Sequence, residues 1–146
     1  MYGMALLNDQ IRGEVRKILG GLAIPVELVF HHGPPGEPAE FMESLLTELS
    51  EVVPTLKVSE AKGAPVVEPH HDEGMPVEGP VLVVRAEGSD ASGIRFLGVT
   101  AGLEFGSLIE TIRDVGEGRH HLEPETIQVL ESLTHPVHIQ VFTTPT

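Results

Sequence analysis

Eight histidines are the side chains best suited to chemistry in this 146-residue chain, and six of them stand in adjacent pairs: His31-His32, His70-His71 and His120-His121. His135 and His138 complete the set. The run His70-His71-Asp72-Glu73 offers four possible metal ligands in a row. Adjacent residues of an extended segment point apart, however, and a zinc ion needs ligands that converge on one tetrahedral point. No His-Glu-x-x-His helix and no thiol accompanies them, so they read as solvated loop histidines. His135 and His138 straddle Pro136 at a strand start, where exposed polar positions explain them better than a shared ion. No metal-ligating residue is expected.

Other chemistries fare no better. Ser44, Ser107 and Ser132 fall in predicted helices, and none sits in a Gly-x-Ser-x-Gly elbow. Acidic residues abound, but no pair can be placed across a cleft for acid–base work. The glycine-rich stretch 31–36 lacks the phosphate-loop pattern, and the dinucleotide-binding fingerprint is missing between the first strand and the helix after it. The chain contains no cysteine. Without a thiolate there is no attack on a disulfide and no mixed-disulfide intermediate. Neither a catalytic nor a cofactor-binding residue is expected, and no cofactor.

Composition narrows the partners. With 22 acidic residues against nine Lys and Arg, the net charge is −13, which repels phosphate backbones and anionic membranes. Nucleic acid and membrane are therefore set aside, and the excess Glu reads as a solubilising surface more readily than as an acidic docking face. Five Phe, one Tyr and no Trp leave the packing to aliphatic side chains, with no stacking platform for single-stranded nucleic acid. No apolar run approaches the roughly 20 residues that span a bilayer. The opening MYGMALLNDQIRGEV has no signal-peptide core, so a cytoplasmic location is the default.

The elements that must position these residues follow from periodicity. A helix is predicted over 6–19, with Leu7, Ile11, Val15 and Ile18 on one face and Gly20-Gly21 as its stop. Pro25 precedes an apolar strand, 26–30. The loop from His31 to Glu37 carries Gly33, Pro34, Pro35 and Gly36. A second helix, 38–50, buries Phe41, Leu45 and Leu49, with Met42 and Leu46 beside them. Residues 55–60 alternate as a strand, with Leu56 and Val58 on one face. The stretch 62–80 is mostly loop. Val81 to Arg85 and Ile94 to Leu97 form an antiparallel pair across a turn that begins at Glu87, and Arg85 and Arg95 are candidates to anchor the acidic loop 87–90. A helix from Gly102 to about Val115 buries Phe105, Ile109 and Ile112, with Leu108 nearby. A short helix, 123–133, and an alternating strand, 137–142, close the chain. The result is a β-α-β unit and a β-β-α unit around one sheet. The two closing elements cannot bury two sheet faces alone and must pack on that unit or on a partner.

This arrangement resembles the redox-inactive N-terminal unit of tandem thioredoxin-fold proteins. One branch is the glutaredoxin-like protein disulfide oxidoreductases; the other is the N-terminal domain of the alkyl hydroperoxide reductase flavoprotein subunit. The likeness is carried by Pro25-Val26-Glu27-Leu28-Val29, Gly79-Pro80-Val81-Leu82-Val83, Gly93-Ile94-Arg95-Phe96-Leu97-Gly98 and Ala101-Gly102-Leu103-Glu104-Phe105-Gly106-Ser107-Leu108. The closing Val141-Phe142-Thr143-Thr144-Pro145-Thr146 resembles the lead-in to the active unit's Cys-x-x-Cys turn. The combination of Ile-Arg-Phe-x-Gly with the Gly-x-Glu-Phe helix start is fairly specific; each piece alone is weak.

The resemblance implies an α/β thioredoxin-like fold: a central mixed sheet flanked by helices, plus the helix and first strand of a second such unit. The implied division is a thioredoxin-like domain without a dithiol over 1–116 and an incomplete second unit over 117–146. The redox turn would fall at Gly36-Glu37-Pro38-Ala39-Glu40, where no nucleophile stands and two carboxylates disfavour a thiolate. Pro80 takes the place of the proline that opens the third strand and is cis in the family. Its implied role here is structural, since the dithiol it would face is absent. The expectation is a non-catalytic module supporting a dithiol–disulfide oxidoreductase unit. Its partners would be a second thioredoxin-fold unit in cis, another copy through the closing strand, or protein disulfide substrates. The alternatives are the front end of an intact disulfide oxidoreductase or of a peroxiredoxin-reducing flavoprotein, and an oligomeric scaffold.

Overall fold

The computed structural model describes residues 5–61, 79–89, 93–137, 139 and 141. The first helix, α1, spans Asp9–Leu19, and the Asn8 side chain accepts a 2.9 Å hydrogen bond from the Ile11 N–H. That cap satisfies one of the donors a helix start leaves over. Asp9 in the first turn and Arg16 and Lys17 in the last complement the helix dipole. Leu7, Val15 and Leu19 are buried and Ile11 packs against them. Ile18, expected on that face, is 40% exposed. The Arg12 guanidinium of this helix reaches Glu48 of the next helix at 2.8 Å.

Strand β1 is Val26–His31, helix α2 is Glu37–Val52 and strand β2 is Lys57–Glu60. Pro38 sits in the first turn of α2, where its missing N–H costs nothing. Met42, Leu45, Leu46, Leu49 and Val52 recur at three and four residues and make its buried face, with Phe41 at the margin. Strands β3 (Val81–Ala86) and β4 (Ile94–Leu97) and helix α3 (Leu103–Glu117) follow. Leu108, Ile109 and Ile112 of α3 are buried. Gly118 closes that helix in the left-handed region (φ 64°), donating its N–H to the Asp114 and Val115 carbonyls.

The sheet order is β2-β1-β3-β4. β1 runs parallel to β2 and antiparallel to β3, which pairs antiparallel with β4. The mixed sheet flanked by helices is thus as expected. Leu28 lies between Val58 and Val84 in register, and Phe30 lies opposite Leu82. These residues and Val26 point into the core with the apolar faces of α1, α2 and α3. Alternate residues face the other side, where Glu27 is opposite both Lys57 and Arg85.

Helix α4 (Pro124–Glu131) is present but has no buried residue. The strand expected over 137–142 falls in part outside the described residues. Val137, Ile139 and Val141 are described; all three are exposed and none belongs to the sheet. His70, His71, Asp72, Glu73, His138 and the closing Thr143-Thr144-Pro145-Thr146 also lie outside the described residues. No described helix is long and apolar enough to cross a membrane.

Candidate functional site

The loop after β1 is the place where a thioredoxin fold would do its chemistry. Gly36 immediately precedes α2, and Glu37 and Glu40 occupy the first turn of that helix. The turn therefore holds two carboxylates near a helix N-terminus, which the dipole favours, and no nucleophile. The Gly33 end of the same loop meets the chain just before β3. Gly33 (φ 67°) comes so close to Gly79 that a Cβ on Gly33 would lie 2.5 Å from the Gly79 carbonyl carbon. Only glycine permits this approach and this φ together.

Pro80 is buried beside this junction, and its carbonyl accepts a 2.8 Å hydrogen bond from the Gly98 N–H at the end of β4. The cis Gly79–Pro80 bond implied by resemblance is not found: no peptide bond among the described residues is cis. Gly79 has φ 124°, a conformation L side chains rarely adopt, and turns the chain here by its own backbone. The trans form, favoured by about 0.5–1 kcal/mol before proline, then suffices.

The histidines part company. His32 follows β1 and meets two carboxylates: its Nδ1 lies 2.7 Å from Glu43 Oε1 and its Nε2 3.4 Å from Glu60 Oε1. The ring packs against Phe30, with centroids 4.7 Å apart. Nearby, α2 and β2 border an open groove of about 570 Å³ lined by Phe30, Leu46, Thr47 and Val58 among others. His121 is exposed and lies 3.3 Å from Asp114, while the exposed His135 hydrogen-bonds its neighbour Thr134 at 2.8 Å. Neither is near His32 in the chain or on its elements. The Ser44 and Ser132 hydroxyls donate to helical carbonyls of Glu40 and Val129, at 3.0 and 2.7 Å, as helix-surface serines do.

Two charged groups hold the frame. On the second face of the sheet, Glu27 accepts from Arg85 Nε at 3.0 Å and from Ser59 Oγ at 3.0 Å, so one carboxylate ties β2, β1 and β3 together. Burial pushes the Glu27 carboxyl up. The hydrogen bonds from Arg85 and Ser59 and the charges of Arg85 and Lys57 outweigh it, and the pKa lies below the ordinary 4.5. Arg85 thus turns to Glu27 and not to the acidic loop, where Glu87 meets Lys57 at 3.2 Å. Glu48 accepts from the Leu6 and Leu7 N–H groups at 2.6 and 2.9 Å and from Arg12 at 2.8 Å. Burial again raises its pKa, and these three donors with the Arg12 charge carry it below the ordinary value.

No protein-family model and no curated protein sequence matches the chain. Solved structures do. The NTD (N/C) domain of alkylhydroperoxide reductase AhpF from Enterococcus faecalis superposes with a TM-score of 0.64 at 22% identity, over 84% of this chain and 58% of that one. A second AhpF structure from the same organism gives 0.63 at 21% identity, over 87% and 61%. A protein disulfide oxidoreductase from Aeropyrum pernix gives 0.63 at 26% identity, over 90% and 57%. The chain therefore spans roughly three-fifths of the length of the structures it matches. Its fold is thioredoxin-like, related both to the N-terminal domain of the AhpF reductase and to the disulfide oxidoreductase.

Proposed function

We propose that the chain is a redox-inert thioredoxin-fold module that supports a dithiol–disulfide oxidoreductase unit carried outside these 146 residues. One observation supports this reading: the segment between β1 and α2, where a thioredoxin fold carries its dithiol, holds Gly36-Glu37-Pro38-Ala39-Glu40, and the chain has no cysteine. The fold is kept and its reactive sulfur is not. Residues 117–146 are the opening of the supported unit. Val129, Leu130 and Leu133 of α4 and the residues just after it are 49–62% exposed, and Val137, Ile139 and Val141 are 61–80% exposed. A second thioredoxin-fold unit in cis would bury these side chains and give them a sheet to join. The oxidoreductase branch is preferred to the flavoprotein branch, because Val141-Phe142-Thr143-Thr144-Pro145 resembles the lead-in to its active turn. A cytoplasmic setting suits a dithiol system that must be kept reduced.

The test is the encoding message beyond Thr146. A Cys-x-x-Cys codon pattern directly after the closing strand, without flavin-binding folds further on, is the expected result. A stop codon directly after Thr146 would overturn support in cis.

A further inference from the structure

The geometry points to a divalent-metal site at the far end of β1, in which His32 Nε2 and the Glu60 carboxylate are the ligands and Glu43 orients the imidazole; we propose zinc as its ion. This assignment is independent of the function proposed above. The three residues come from three different elements: His32 just after β1, Glu43 in the second turn of α2, Glu60 at the end of β2. Their donor atoms all lie within 4.8 Å of one another. The parallel β1–β2 pairing, which sets Phe30 opposite Glu60, is what brings them together.

The two contacts of the imidazole differ in kind. Nδ1 lies 2.7 Å from Glu43 Oε1, within ion-pair range of that carboxylate. A carboxylate beside Nδ1 favours the tautomer that leaves the lone pair on Nε2, the arrangement seen around metal-ligating histidines. The Phe30 ring, 4.7 Å away and inclined at 48°, limits rotation of the imidazole. Nε2 then faces Glu60 Oε1 across 3.4 Å. Two ligands of a tetrahedral ion with bonds of about 2.0–2.1 Å stand about 3.3 Å apart. His32 and Glu60 are thus already set at the spacing zinc requires. Glu60 is 68% exposed and His32 35%, so water completes the coordination and the ion exchanges with solvent. One imidazole nitrogen with one carboxylate suits zinc better than calcium or magnesium, which take oxygen alone. The net charge of −13 raises the local concentration of any cation.

The competing occupant is a proton. An imidazolium would donate to both carboxylates and act only as an ion-pair clamp. Zinc chloride titrated into the full chain separates the two, read by long-range ¹H–¹⁵N NMR of the histidine rings. The expected result is a zinc-dependent shift of the His32 Nε2 resonance with Nδ1 still protonated. Glu60→Gln, at an exposed position, and Glu43→Gln should each weaken that response by about tenfold or more. A His120→Gln/His121→Gln control should leave it unchanged. His32 resonances that do not move with zinc while other histidines respond would overturn the site, as would a Glu60→Gln chain that binds like the parent.

Discussion

At Gly33 two constraints meet in one residue. Its φ of 67° and its approach to the Gly79 backbone both exclude a Cβ, so Gly33→Ala must open the junction between the β1 loop and the start of β3. We expect a loss of about 1–3 kcal/mol by chemical denaturation; a chain as stable as the parent would show that the two loops are not held together. Thr100 presents the opposite case. It is fully buried, its N–H faces Met42 Sδ at 3.3 Å, and its hydroxyl has no hydrogen-bond partner among the described residues. Thr100→Val keeps the shape and removes the unsatisfied oxygen, so the melting temperature should rise, by about 1 kcal/mol of stability. A lower melting temperature would mean that the hydroxyl is bonded. Neither position is legible in the sequence: glycine and threonine carry no mark of what the distant chain brings against them. The same holds for His32. Its partners are 11 and 28 residues away, and only the register of β1 on β2 brings them near. The absence of a nucleophile at Gly36 to Glu40, by contrast, needs no coordinates.

Elements are easier to read than contacts. Each described helix and strand stands within a few residues of its predicted place, because the period of 3.6 in α2 and α3 and the valine-rich runs of β1 and β3 are set locally. Ile18 has the right spacing yet is 40% exposed, and the Arg12–Glu48 pair on α1 is invisible to periodicity. Glu27 likewise reads in the sequence only as part of an apolar strand. Its cross-strand role needs the pairing of β1 with both neighbours. That role has a pH signature. The carboxyls of Glu27 and Glu48 are lowered in the folded chain, so the stability they contribute is fully present above the ordinary value of 4.5. It is lost as pH falls through the lowered values, where the folded state must take up protons. Urea midpoints should therefore fall with pH below about 4.5. Glu27→Gln should cost about 2 kcal/mol at pH 7 and flatten that dependence; an unchanged slope in the variant would place the acid sensitivity elsewhere.

For the whole molecule, the sheet ends and the last helix matter most. β4 is an edge strand among the described strands, with Ile94 and Leu97 half exposed, and α4 has no buried residue. Short edge strands limit edge pairing, but this apolar edge invites it. In isolation the chain should self-associate through these surfaces, with an average mass by light scattering that rises with concentration. A strict monomer at every concentration would mean that the exposed aliphatic residues find cover within one chain. The division at 117 rests on the resemblance, because periodicity marks the helix beyond it but not what that helix packs on. The claim that matters most is that a thioredoxin-like fold is retained here without thioredoxin chemistry. Insulin reduction by dithiothreitol, followed by turbidity with and without the purified chain, tests it most directly. The account predicts the same rate in both; a faster rate in the presence of this chain would contradict it.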